Sequence, residues 1–236
     1  MLIAKEGGGD NMQIFPTITT KTKSGWKSKV EEVRILKLKE VSVFLSCLLP
    51  QERKELYQAL KKTKVQKIPL VHLRDDVELW ELDYLREHYQ TAIFNTHSGR
   101  EFPFKNNLDK YKKEIYIENA YYSFDEEELK EFAGICLDFS HLENDRLLRP
   151  EIYQQDIKLI EKYPLGCGHI SAINSMTNMD KEGSAWRCSH FFENLFEFDY
   201  LKRYPLKYFP SIIAIELENS IKDQLKVKEY ILNLLA

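Results

Sequence analysis

The sequence predicts an α/β fold, a single (β/α)8 barrel of parallel strands, on three observations. Eight short apolar or β-branched runs recur along the chain: "IFPTITT" (14–20), "VSVFLSCL" (41–48), "IPLVHLR" (68–74), "AIFNTH" (92–97), "IYIENA" (115–120), "GICLDF" (134–139), "GCGHISAI" (166–173) and "SIIAIELE" (211–218). Helical patterns lie between them, and strands that alternate with helices pair in parallel. The runs also lack strict apolar/polar alternation, as strands covered on both faces do.

Each helical segment has its own signal. Val30, Val33 and Ile35 mark 26–38, Leu56 and Leu60 mark 51–62, and Leu82 and Leu85 follow the cap-type Asp76. Leu129 and Phe132 follow Asp125, Ile157 and Ile160 lie in 151–162, Leu195 lies in 191–202, and Ile221, Leu225 and Ile231 follow Ser220. The segment between the fourth and fifth strands, 105–113, has the faintest pattern. The aromatics Trp80, Tyr84, Phe191, Phe192, Phe196 and Phe198 sit at helical spacing and read as helix-to-barrel packing.

Length and composition agree with one domain. The 236 residues suit a barrel with a single core, and 43% hydrophobic with 30% charged residues describes a globular chain. A net charge of −3 supplies no general basic excess for nucleic acid. Residues 1–12 read as a disordered extension ahead of a 13–236 barrel. "MLIAKEGGGDNMQIF" lacks the apolar core of a signal peptide and no run is long enough to span a bilayer, so a cytoplasmic, membrane-independent protein is expected. Cys47, Cys136, Cys167 and Cys188 form no CxxC pair; the first three read as small buried strand residues. No Gly-rich phosphate loop is present, since "KEGGGD" does not join a strand to a helix, and no nucleotide cofactor is expected.

In a (β/α)8 barrel, chemistry sits at the C-terminal ends of the strands. His72 closes the third run, His97 the fourth, Glu118 the fifth, Asp138 and His141 the sixth; His169 lies in the seventh, and Glu216 and Glu218 end the eighth. With His190 after the seventh strand, five of the six histidines fall at or beyond strand ends, and only His88 lies inside a helical pattern. One such residue is ordinarily a cap or a hydrogen-bonded structural group. Several converging on one mouth must share protons, ion pairs or a cation, because ionisable groups are rarely buried without partners. Imidazole with carboxylate suits Zn2+, Mn2+, Co2+ or Fe2+, and a carboxylate-rich site also admits Mg2+. Arg74 points the same way as His72 and suits a phosphate or carboxylate group, or an ion pair with Asp75 or Asp76. Glu216 and Glu218 share a strand face, so periodicity does not choose between them.

The ordered pieces "VHLRDD", "FNTHSG", "IYIENA", "CLDFSHL", "GHISAINS" and "IAIELEN" resemble the xylose isomerase-like TIM-barrel superfamily, which holds sugar isomerases, sugar epimerases and endonuclease IV. The resemblance runs from about residue 14 to the end. It implies one divalent metal, Zn, Mn, Co or Mg, held by Glu118, Asp138, His169 and Glu216, with Glu118 and Glu216 as an acid–base pair and His141 orienting substrate or ligand. The substrate so implied is a small sugar or sugar phosphate, and homo-oligomers are compatible with it. The endonuclease branch implies a metal cluster that also enlists His72, His97, His141 and His190 and acts on abasic DNA. Cys188 stands in "WRCSHFF" where that branch has an aspartate; a thiolate can ligate zinc. The loops read as short for gripping duplex DNA. A barrel that serves only as a binding protein is the third class, because function lives in the site rather than the fold.

Overall fold

The computed structural model describes residues 12–20, 25–179 and 185–236. In chain order these form β1 (Gln13–Phe15), β2 (Thr17–Ile18), α1 (Gly25–Leu36), β3 (Ser42–Phe44), α2 (Pro50–Leu60), β4 (Leu70–His72), α3 (Leu79–Tyr89), β5 (Ile93–His97) and β6 (Ile115–Glu118). There follow α4 (Glu126–Glu131), β7 (Gly134–Asp138), α5 (Phe139–Leu148), α6 (Pro150–Ile160), β8 (Leu165–Ile170), β9 (Ala172–Met179), β10 (Ala185–Ser189), β11 (Ile212–Ile215) and α7 (Ile221–Leu235). The expected extension, residues 1–12, lies outside the described residues apart from Met12.

Nine strand segments form one parallel sheet in the order β1-β11-β8-β7-β6-β5-β4-β3-β2. β1 pairs with β11 and β2 with β3, so the sheet's two edges meet in one stretch of chain broken at Pro16. Proline has no N–H to give to a ladder, which is why the strand divides there. Counted as one, β1 and β2 make an eight-stranded α/β barrel. Gln224 of α7 repairs the break: its Oε1 accepts the Thr17 N–H at 2.6 Å, and its Nε2 donates to the carbonyls of Thr17 at 3.1 Å and Leu217 at 3.0 Å.

The side-chain period of two divides each strand between two cores. Val43, Val71, Phe94, Ile117, Ile135, Leu137, Ile170, Ile213 and Ile215 face outward into clusters that also contain Val33, Leu56, Leu82, Leu85, Leu129 and Val227 of the helices. Phe44, Leu70, Cys136, Cys167 and Ala214 pack together inside the ring. Two residues on from Leu70, Tyr116, Cys136, Cys167 and Ala214 stand His72, Glu118, Asp138, His169 and Glu216. The inner face of each of these strands therefore runs from an apolar floor to an ionisable rim.

The structure departs from the sequence expectations where local signals were overridden. The helix expected at 105–113 is a 3-10 helix, Asp109–Glu114, and the one at 191–202 is a 3-10 helix, Leu195–Arg203. The cap of α3 is Glu78, whose N–H donates to the Glu81 carboxylate, while Asp76 pairs with Arg53 at 2.7 Å. Cys47 is exposed, because β3 ends at Phe44 and Cys47 stands in the following turn. Ile35, Trp80, Phe191 and Phe196 face solvent, and of the aromatics expected at helix contacts only Phe198 is fully buried. The run at 166–173 continues past β8 into a β9–β10 antiparallel hairpin, and α5 starts directly at the end of β7; neither was expected. Among the described residues no helix is long and apolar enough to cross a membrane.

Gln224→Leu leaves the buried Thr17 N–H without its partner, at about 1–3 kcal/mol, while the carbonyls of Thr17 and Leu217 keep the Thr19 N–H and Thr19 Oγ1. A loss of about 1–3 kcal/mol in denaturant unfolding is expected; wild-type stability would show that Gln224 does not hold the seam.

Candidate functional site

Glu118 stands at the centre of the rim. Its Oε2 accepts a hydrogen bond from Asn95 Nδ2 at 2.7 Å and lies 3.1 Å from His72 Nε2 and 3.2 Å from His169 Nδ1. Its Oε1 lies 3.9 Å from His97 Nε2. Strand register produces this ring: His72 pairs with Asn95, His97 with Glu118, and Asp138 with His169. Glu216, one residue past β11, is drawn to the same point when its N–H bonds to the Ile170 carbonyl at 2.8 Å. Its Oε2 lies 3.6 Å from His169 Nδ1, and its Oε1 lies 3.0 Å from His190 Nε2.

Asp138 serves both as a helix cap and as a rim carboxylate. Its Oδ1 accepts from the Ser140 N–H at 2.7 Å, the His141 N–H at 2.8 Å and Ser140 Oγ at 2.6 Å, which starts α5 without a connecting loop. Its buried Oδ2 has no hydrogen-bond partner. Asn119 fixes this turn: its side chain accepts from the Asp138 N–H at 2.8 Å and donates to the Asp138 carbonyl at 3.0 Å, and its own carbonyl lies 2.8 Å from His141 Nδ1.

Glu118, Asp138, His169 and Glu216 each present a donor atom within 4.8 Å of all the others. A second set, His72, His97 and Glu118, meets the same limit and shares Glu118 with the first. Asp138 Oδ2, Glu216 Oε2 and both ring nitrogens of His169 are buried and lack hydrogen-bond partners. Buried polar atoms are ordinarily satisfied, and three carboxylates around one imidazole suit a divalent cation. By this test the residues fit a divalent metal.

Of the remaining candidates, His141 and His190 line a cavity of about 490 Å³ above the rim, together with His97, Arg74, Glu216 and Glu218. His141 Nδ1 lies 3.9 Å from Asp138 Oδ2, and neither His141 nor His190 belongs to a donor set among the described residues. Cys188 borders His141 from β10. Arg74 pairs with Asp75 at 3.5 Å and Asp76 at 3.3 Å. Glu218 stays outside the donor sets, and its carbonyl accepts from the buried Lys29 Nζ at 2.7 Å. His88 stacks on Tyr84 on the outer surface. Sequence reasoning passed over Asn95, Asn119 and Trp186. Asn95 lies two residues before His97 on the inward face, a spacing that marks it; Trp186, which flanks Tyr121 and His141, sits on a hairpin that the sequence did not announce.

No family model matches this sequence, and no curated protein matches it. Similar solved structures include two xylose isomerase-like TIM-barrel proteins. One is a xylose isomerase-like TIM barrel protein from Mycobacterium smegmatis in complex with magnesium: 14% identity, 95% of this chain and 96% of that chain covered, TM-score 0.49. The other is a xylose isomerase-like TIM barrel/4-hydroxyphenylpyruvate dioxygenase fusion protein: 13% identity, TM-score 0.48, with 95% of this chain matching 42% of that one. This chain thus spans less than half of the fusion protein's length.

Burial alone would make the Glu118 carboxyl harder to ionise, but His169 and His72 outweigh it and hold the group well below the usual carboxylate range. Burial also disfavours the charged form of His169; Glu118, with Glu216 and Asp138 behind it, reverses this and pushes the imidazole up to about 9. At His97 burial prevails over Glu118, and the ring falls to about 4. Burial raises Asp138, outweighing the His141 ring 3.9 Å away, and the carboxylates of Glu216 and Glu118 add to the rise. A metal needs the His169 lone pair, so binding at pH 7 has to displace a proton. Affinity for Mn2+ should therefore rise from pH 6 to about 9. Calorimetry at pH 7 in two buffers of different ionisation enthalpy should record net proton release; none would mean that His169 is not a ligand.

Proposed function

We propose that this protein is a divalent-metal-dependent isomerase or epimerase acting on a small sugar or sugar phosphate. The observation that carries this reading is the set of unpartnered buried donor atoms on Asp138, His169 and Glu216, gathered with Glu118 at the strand exits. Those four residues would hold the cation, with Zn2+, Mn2+, Co2+ and Mg2+ the candidates for the donor set. When bound there, a divalent cation supplies polarisation of a substrate carbonyl and its neighbouring hydroxyl.

The chain's own residues would move the proton. Burial alone would raise Glu216, but His190, 3.0 Å away, outweighs it and keeps the carboxylate ionised, the form a general base requires. Glu118 is the second carboxylate of the pair, its Oε2 fixed by Asn95. His141, held protonated despite its burial by Asp138 and Cys188, brings a positive charge to the cavity wall, where it orients a substrate oxygen. Thr19, Thr20, Ser46 and Thr96 add hydroxyls suited to a polyol, and Phe102 and Tyr121 add aromatic surface. An intracellular location accords with this reading.

Incubation of the metal-loaded protein with a panel of aldoses and ketoses in deuterated water tests the reaction class. The expected result is exchange of the α-carbon proton, seen by NMR and slowed at least about 10²-fold in Glu216→Gln. No exchange with any sugar or sugar phosphate would sink the isomerase reading.

The His72, His97 and Glu118 set favours a second reading, an endonuclease IV-like phosphodiesterase in which paired metals clamp the attacking and leaving oxygens. Cleavage of an abasic-site oligonucleotide, lost in His72→Ala and in His97→Ala, is what it requires; an intact oligonucleotide would remove it.

A further inference from the structure

Cys136 lies one inward position below Asp138 on β7 and opposite Glu118 in the strand register. Its side chain is fully buried and packs in the floor cluster with Phe44 and Cys167. As a small apolar filler it would need no relation to the rim. Its Sγ, however, lies within 4.8 Å of a carboxylate oxygen of Glu118 and a ring nitrogen of His169, the two residues that also belong to the four-residue donor set. His169 is wholly buried, and neither of its ring nitrogens has a hydrogen-bond partner. The floor of the site therefore offers a sulfur donor next to an imidazole whose close polar contacts are the carboxylates of Glu118 at 3.2 Å and Glu216 at 3.6 Å.

We infer that Cys136 is a thiolate ligand of the metal site, and that the site prefers thiophilic dications such as Zn2+, Co2+ and Cd2+ to Mg2+. The inference rests on the proposed metal site. Bonds of about 2.0–2.1 Å to nitrogen or oxygen and about 2.3 Å to sulfur are compatible with one metal shared by Cys136, Glu118 and His169, whose donor atoms lie within 4.8 Å of one another. On binding, the sulfur–hydrogen bond is replaced by a sulfur–metal bond and the proton leaves to solvent, since a coordinating thiol is deprotonated outright. Soft sulfur donors select against Mg2+, which takes hard oxygen ligands. Phe44 packs on His169 with centroids 4.6 Å apart and belongs to the same apolar floor cluster as Cys136.

Cobalt tests this without any assay of activity. Full-length protein loaded with Co2+ should show near-ultraviolet sulfur-to-cobalt charge-transfer absorption, lost in Cys136→Ser and kept in Cys188→Ser and Cys167→Ser, with circular dichroism verifying the fold of each variant. X-ray absorption at the zinc edge of the wild type should give one sulfur scatterer at about 2.3 Å, a result that does not depend on any variant folding. Mg2+ at large excess should fail to displace Zn2+ from the wild type. Bound cobalt without the band, a band that survives Cys136→Ser, or a zinc spectrum free of sulfur overturns the thiolate and leaves the metal site intact. Failure to retain cobalt or zinc overturns the metal site itself.

Discussion

Everything at the barrel mouth depends on keeping the Glu118 carboxylate in a place from which water is excluded. A lone buried charge would be prohibitively costly, and the fold surrounds this one with Asn95, His72 and His169 from the two strands before it and one close after it. Asn95 is fixed by its position on β5, His72 by the bond of its Nδ1 with the Leu73 carbonyl at 2.9 Å, and His169 by β8 pairing with both β7 and β11. The surrounding ring is left with more acceptors than donors. The partnerless oxygens of Asp138 and Glu216 and the strongly basic character of His169 are two sides of the same excess of negative charge.

That balance explains why the barrel carries such different residues at two heights. Two positions lower, the same inward faces hold Leu70, Tyr116, Cys136, Cys167 and Ala214, a largely apolar floor. A slip of one residue in any of these strands would send its rim residue out toward the helices and bring a Val, Leu or Ile inward. The fold and the site therefore share one constraint, the strand register. The bridging amide of Gln224 at Pro16 and the Asn119 lock on Asp138 defend it at two places where the backbone ladder alone does not.

Much of this was legible in the sequence because both faces of a barrel strand are buried. The apolar runs located β3 to β8 and β11, and they placed Glu118, Asp138, His169 and Glu216 at the exits. Convergence of those residues is a property of ring closure, which no local pattern encodes. Asp138 could not be divided between capping and ligation from sequence, since "LDFSHL" satisfies both, and its two oxygens have different surroundings. Elements held by tertiary contacts were the ones missed. The β9–β10 hairpin rests on α5, where Asn144 accepts the Arg187 N–H at 2.8 Å, and the 3-10 segments are built on Phe198, Leu201 and Tyr208 packing rather than on helical propensity. Cys47 went astray because β3 ends before the apolar run does.

The central claim is that the charge excess around Glu118, Asp138, His169 and Glu216 is balanced by a divalent cation. Elemental analysis of the protein after equilibrium dialysis against Zn2+, Mn2+ and Co2+ tests it most directly, with Asp138→Asn as the comparison because the asparagine can still cap α5. Stoichiometric metal in the wild type, with loss of most of it in Asp138→Asn at unchanged helical content, is the predicted result; a wild-type protein that retains no metal would contradict the account.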